Sequence, residues 1–324
     1  MKKVFYILTL ILVLFSGVIY FLNPFRAPGE NKQTEVFTVL EDIPETAVIY
    51  DLKEQGFIRS FWTLDVALTV KNKHDKIKDG GYYLSKNMNV WQIADKITGP
   101  PDLKWITFPE GLRKEQIGER LQTLLGWNKQ ELDKWNNTYT AMTFDNFEGV
   151  YFPDTYLIPV KENGLEIAKR MISRFNEVLN DQLIEFAKKD IIWTTGIKIA
   201  SLIQREAGGK DDMSLIAGIL WNRLEKGQKL EIDATIQYAK GKIGDKWWSV
   251  VTSNDIKTID SPYNTYKYKG LPPHPIANPG INAINAVLNP KETDCIFYLH
   301  DKFREIHCAV TYQEHLENID KYLR

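Results

Sequence analysis

The sequence predicts an α+β fold set behind a single apolar N-terminal helix. Three observations carry that expectation: strand-like runs bounded by Gly and Pro, helical stretches with one apolar stripe, and an uncharged run of nineteen residues near the start. At 324 residues the chain exceeds one ordinary core, because domains run to about 100–200 residues, so two folded parts are expected. A composition of 44% hydrophobic, 26% charged and 12% aromatic residues argues against long disordered stretches. With 41 basic and 42 acidic residues there is no general positive field to gather nucleic acid.

Residues 4–22 carry no charge, follow Lys2 and Lys3, and match the roughly 20 apolar residues that span a bilayer core. The run is longer than the about 7–15 apolar residues of a signal peptide and lacks the small residues of a cleavage site. An uncleaved anchor over residues 1–26 is therefore expected, with the lysines inside. Arg26 and Lys32 follow closely, so charge bias alone leaves the orientation open. The polar residues 27–35 read as a tether holding the folded part clear of the membrane.

The next region, residues 36–159, alternates short elements. Residues 36–40 suit a strand, and residues 47–55 a helix closed by Gly56. A second helix is expected over 60–70, a turn into a strand at 80–84, and a helix over 90–97 that stops at Gly99-Pro100-Pro101. A similar order follows, extended over 103–108 and helical over 114–125, which allows two related modules with a boundary near residue 100. Residues 160–324 read as the catalytic part. It opens with Leu165, Ala168, Ile172, Phe175 and Leu179, spaced as one buried helical stripe. Strands are expected over 295–299 and 305–310, and Thr311 with Glu314 forms a capping box opening a last helix. Cys295 and Cys308 read as two buried free thiols, with pairing across neighbouring strands as the alternative.

The most informative stretch is residues 194–209. Ile199, Leu202 and Ile203 form an apolar helical face, and Glu206 falls on it seven residues after Ile199. Glu is almost never fully buried unless paired, so this carboxylate serves a cleft, pairs with Arg205, Arg223 or Lys210, or faces water at a frayed helix end. In a cleft, burial and the negative end of the helix, closed by Gly208-Gly209, would both hold its proton. Cleavage of a glycosidic bond needs such an acid, because the leaving oxygen must be protonated as it departs. His74, His274, His300, His307 and His315 show no metal-ligand spacing, and no metal is expected.

Several blocks together resemble the endolytic murein transglycosylases, the MltG or YceG-like family. They are Phe147-Glu148-Gly149-Val150-Tyr151-Phe152-Pro153-Asp154-Thr155-Tyr156, the helix ending in Glu206, Asn222-Arg223-Leu224, and residues 230–239. The last are Ser261-Pro262-Tyr263-Asn264-Thr265-Tyr266, Gly270-Leu271-Pro272-Pro273 and Pro275-Ile276-Ala277-Asn278-Pro279-Gly280. The resemblance implies one transmembrane helix, a LysM-like subdomain and a catalytic domain outside the cytoplasmic membrane. It also implies internal cleavage between N-acetylmuramic acid and N-acetylglucosamine in nascent peptidoglycan, leaving a 1,6-anhydro end. Cell-wall synthases are the partners it suggests, and no cofactor is implied. Gln204, Ala234 and His274 depart from the family's usual Glu, Pro and Gly, and residues 300–304 look short.

Glu206 is the residue matched to the family's catalytic acid, acting first as acid and then as base. Asp233 reads as a positioning carboxylate or a loop-ordering one. Thr235 and Gln237 belong to the same block as candidate substrate contacts. Tyr263 and Asn264 either hold sugar groups or brace a turn, and Asn278 either lines the groove or caps a helix. Trp247 and Trp248 are candidate stacking residues, with one expected in the core. A water-using muramidase and a non-catalytic peptidoglycan-binding scaffold are the competing readings.

Overall fold

The computed structural model describes residues 23–141 and 147–324; the apolar run 4–22 lies outside the described residues. No helix among the described residues is long and apolar enough to cross a membrane. The chain divides into two compact units, one reaching Ile106 and regaining Tyr156–Val160, the other made of Thr107–Thr155 and Lys161–Arg324. Residues 107–155 thus pack with the second unit, unlike the division near 159 expected from sequence.

The first unit runs β1 (Thr34–Val39), α1 (Glu45–Glu54), α2 (Phe61–Lys71), β2 (Gly80–Ser85), α3 (Val90–Ile97), β3 (Leu103–Thr107) and β4 (Thr155–Pro159), with strand order β1-β2-β3-β4. β1 and β2 pair antiparallel from Thr34↔Ser85 to Val39↔Gly80. Strand alternation turns Phe37, Val39, Tyr82 and Leu84 inward, onto Leu52, Leu64, Leu68 and Ile93 of the helices. Gly99-Pro100-Pro101 does not separate modules, because Asp102 N–H donates to Gly81 O (2.9 Å) and carries β3 back onto β2. Only glycine suits position 80: its φ is +129°, and a Cβ there would meet Leu103 O at 2.6 Å.

Residues 27–35 are not a free tether. Val90 N–H donates to Phe25 O (3.2 Å), Gly29 N–H to Lys86 O (2.9 Å) and Asn87 N–H to Asn31 O (3.1 Å). The Arg59 guanidinium donates to Ala27 O at 3.2 and 3.0 Å. Polar composition suggested slack, but these backbone groups find partners on the unit itself.

The second unit contains α4 (Lys114–Leu125), α5 (Lys129–Lys134) running into a π-helical turn (Trp135–Tyr139), α6 (Gly164–Val178) and α7 (Asn180–Lys188). It continues with α8 (Trp193–Glu206), α9 (Met213–Glu225), α10 (Asp233–Lys240), α11 (Ser253–Thr258), α12 (Ile281–Leu288), the hairpin β5 (Phe297–His300) and β6 (Ile306–Ala309), and α13 (Tyr312–Tyr322). α8 is the central helix, touching α7, α9, α10 and α12, with Ile197, Ile199, Ala200, Leu202 and Ile203 fully buried. Helix packing this close uses glycines: a Cβ at Gly196 would collide with the Phe186 ring, and one at Gly218 with Lys291 O.

Cys295 and Cys308 form a disulfide, against the expectation of free thiols, with Cα atoms 5.9 Å apart. The reason is the antiparallel β5–β6 pairing, Tyr298↔Cys308, which brings the segment before β5 alongside β6. The bridge closes the hairpin that carries part of the site.

Candidate active site

α8 delivers Glu206 as its last residue, half-buried, into a cavity of about 370 Å³. Arg223, Leu230, Glu231, Asp233, Tyr266 and Tyr298 are among its walls. Tyr298 Oη donates to Glu206 Oε2 at 2.8 Å. Burial pushes the Glu206 pKa above the ordinary carboxylate value; the Tyr298 hydroxyl opposes this, the charge of Asp233 reinforces it, and His300 and the Ala234 N–H oppose it. Gly208-Gly209 do not end the helix: Ala207 does so in an extended conformation, φ −64° and ψ 135°.

Two of the cations considered as partners for Glu206, Arg205 and Arg223, make their contacts elsewhere. The Arg205 guanidinium stacks 3.9 Å from the Trp248 ring centre. Arg223 donates to Ile296 O (2.5 Å), Leu230 O (2.7 Å) and Lys229 O (3.2 Å), tying α9 to β5 and to the segment before α10. With those bonds made, its charge positions the cavity wall rather than neutralising the acid. Across the cavity Tyr266 Oη donates to Asp233 Oδ1 at 2.7 Å, at the exposed start of α10. Below α8, Asp212 Oδ2 accepts from Gly208 N–H (3.0 Å) and lies 3.1 Å from His300 Nε2, fixing β5 against the α8–α9 turn.

Three candidate sugar contacts are internal instead. Thr235 is fully buried, its hydroxyl donating to Ile232 O (2.6 Å) and lying 2.9 Å from Thr265 Oγ1. Asn264, also fully buried, donates to Ile256 O and Ile259 O and accepts from Tyr266 and Lys267 N–H, bracing the turn. Asn278 is 1% exposed and bridges Gly149, Tyr151, Leu112 and Glu148. All their polar groups are occupied, which leaves none for a ligand. Tyr263 is half-buried against Tyr238, ring centres 4.7 Å apart, and burial pushes its pKa up to about 12. Gln237 is half-buried on α10. Trp247 and Trp248 are both half-buried; their indole N–H groups donate to Glu119 (2.9 Å) and Gln116 (2.9 Å) of α4.

The YceG-like family model matches residues 37–321. The chain belongs to this family. An endolytic murein transglycosylase of Bacillus subtilis is 30% identical over 91% of this chain and 86% of its own length. One of Streptococcus pneumoniae is 26% identical over 91% of this chain and 57% of its own length. A crystal structure of a yceG-like protein from Listeria monocytogenes, 26% identical, superposes with a TM-score of 0.62, covering 88% of this chain and 99% of that one.

Within this YceG-like chain, sequence reasoning missed Tyr298, Tyr266 and Glu148. Tyr298 and Tyr266 lay in quoted or strand-like stretches, yet nothing in their spacing pointed at a carboxylate. Glu148 is fully buried; it accepts from Lys114 N–H (2.9 Å) and Asn278 Nδ2 (2.8 Å), and burial pushes its pKa up to about 8. A Glu inside an apolar block was the available signal. The departures from the family pattern are also placed. Gln204 Oε1 accepts the Gly280 N–H (3.0 Å) at the start of α12, Ala234 turns its N–H toward Glu206, and burial lowers the pKa of His274. Among the described residues the cluster that could hold a metal is Asp301, Glu305 and His307. There Asp301 already accepts the Phe303 and Glu305 N–H groups.

Proposed function

We propose that this chain is a membrane-anchored lytic transglycosylase that cuts peptidoglycan strands internally, with Glu206 as its single acid and base. The observation that carries the reading is the Glu206 carboxylate, aimed into a cavity, held by Tyr298 and biased toward its protonated form by burial. Glu206 gives its proton to the bridging oxygen as the bond from C1 of the muramic acid breaks. The C6 hydroxyl of the same sugar then attacks C1, and its proton returns to Glu206, so that a 1,6-anhydro ring forms and no water is consumed. Tethering the nucleophile in this way replaces a second protein base, an advantage of about 7–11 kcal/mol in the best-oriented cases. Asp233, steered by Tyr266, raises the Glu206 pKa and so keeps the acid armed.

The anchor over residues 4–22 and a disulfide, a bond that persists in oxidising compartments, together support an extracytoplasmic location for the catalytic unit. The strand–helix–helix–strand order of β1, α1, α2 and β2 supports the LysM-like reading of the first unit. Digestion of isolated, uncrosslinked glycan strands tests the activity. The Glu206→Gln variant should fold normally and lose cleavage by at least about 100-fold, and wild-type fragments should end in a mass one water below that of a reducing end. Activity retained in the variant would overturn the role of Glu206. Reducing ends from the wild type would make the enzyme a muramidase, and an inert wild type would favour a scaffold.

A further inference from the structure

We propose that the outer face of α2, carrying Trp62, Val66 and Val70, lies on the lipid surface of the membrane that holds residues 4–22. This rests on the anchor reading above and adds a second, non-spanning contact between the first unit and the bilayer. α2 is apolar on two sides. Its inner side puts Leu64, Ala67 and Leu68 into the core with no exposure, while Trp62, Val66 and Val70 are 51%, 37% and 69% exposed on the other. Spaced by four residues, they form one stripe about 12 Å long. Asp65 and the exposed Thr69 border this stripe along one edge, so the outer face is an apolar strip with a polar margin, and the core covers only the inner side.

The position of the chain's entry decides what covers the other. Phe25 packs edge-on against Trp62, ring centres 5.4 Å apart, and stacks on Trp91 at 5.5 Å. It lies three residues after Leu22, the end of the uncharged run. Three residues span at most about 11 Å, and the polar layer on each side of a bilayer is about 5–8 Å thick. The Phe25–Trp62–Trp91 cluster is therefore held within the headgroup layer or directly against it, where Trp is favoured. No slack lets it drift away, because Phe25, Ala27, Gly29 and Asn31 are each hydrogen-bonded to the unit. A bilayer surface is thus the apolar partner that the covalent connection already brings to Trp62.

The test uses the full chain in phosphatidylglycerol–phosphatidylcholine vesicles, with a nitrobenzoxadiazole label on Val66→Cys or, in a second protein, on Val36→Cys. Labelling is done without reductant so that Cys295 and Cys308 stay paired. Val36 is exposed on β1 beside the inward-facing Phe37, so it points away from the helices. Doxyl-labelled phosphatidylcholine should quench the label at residue 66 about twofold, as expected for a face sunk into the headgroup region, and leave residue 36 unchanged. Equal, weak quenching at both positions in a chain that resists alkaline carbonate extraction would overturn the docking and keep the anchor. Release of the chain by carbonate would remove the anchor and the proposal with it. A label at residue 66 shielded only at high protein density, and insensitive to doxyl lipid, would assign the stripe to a second copy and overturn the lipid contact.

Discussion

Replacing Asn278 by Ala separates an internal brace from a sugar contact. The side chain accepts from Gly149 N–H (3.0 Å) and Tyr151 N–H (2.9 Å) and donates to Leu112 O (3.0 Å) and Glu148 Oε1 (2.8 Å). After truncation the two acceptors keep other donors: the Asn278 N–H for Leu112 O at 2.9 Å, and the Lys114 N–H for Glu148 Oε1 at 2.9 Å. The two amide donors keep none of comparable geometry at a site that is 1% exposed. Each orphaned buried donor costs about 1–3 kcal/mol, so the loss should be about 2–6 kcal/mol, concentrated in the second unit. Urea unfolding of the full chain in detergent, followed by tryptophan fluorescence, should show that unit's midpoint falling while the slope stays constant. Glycan binding by the remaining folded protein should be unchanged. A stability change within about 0.5 kcal/mol together with lost glycan binding would refute the internal role and return Asn278 to the groove.

On the single-acid reading, cleavage falls as pH rises through the Glu206 pKa. Tyr298→Phe removes a hydrogen bond that lowers this pKa, so the fall should move to higher pH in a profile of kcat/KM; a downward move would contradict the assignment. Reducing the Cys295–Cys308 bridge, which links residues 13 apart, should cost about 3 kcal/mol by loop entropy and depress cleavage, since β5 carries Tyr298; thermal unfolding and strand digestion with and without dithiothreitol check both. Glu148, with a folded pKa of about 8 against an ordinary 4.5, binds its proton more tightly when folded. That contribution to stability is complete below 4.5 and lost as pH rises through about 8, so wild-type stability should decline across that window and Glu148→Gln should flatten the decline in urea titrations.

Local structure was legible where a stripe met a stop signal. α3 and α4 span the residues expected for them, α3 because Gly99-Pro100-Pro101 follows it and α4 because Gly126 closes it at φ +73°. The Thr311–Glu314 capping box also forms as read. Glu206 stood out because a charge ended an apolar face. What surrounds it was not legible: Tyr298 is 92 residues away, and Tyr266 reaches Asp233 across 33. Such convergence depends on tertiary packing, which no local period encodes. Asn278 failed for the same reason. Beside Pro279 it has the local look of a turn residue, and its partners lie 127 to 130 residues away in the block around Glu148 and 166 residues away at the Leu112 carbonyl.

The state of Glu206 is a contest that substrate would tilt. Tyr298, His300 and the Ala234 N–H all favour the carboxylate, so the proton is held chiefly by burial, with Asp233 assisting. In the free protein that burial is incomplete, since the residue keeps a minor part of its surface at the wall of a cavity of about 370 Å³ that water can enter. A glycan strand filling the cavity displaces that water and strengthens the leading cause, while the distances to Tyr298 and Asp233 need not change. Binding itself would then raise the pKa of the acid at the moment its proton is needed. The consequence is an asymmetry between two profiles of one enzyme: the alkaline fall of kcat, which reports the complex, should lie at higher pH than that of kcat/KM, which reports the free protein. Coincident limbs would mean that the cavity stays wet with substrate bound, and that the proton is held by the protein alone.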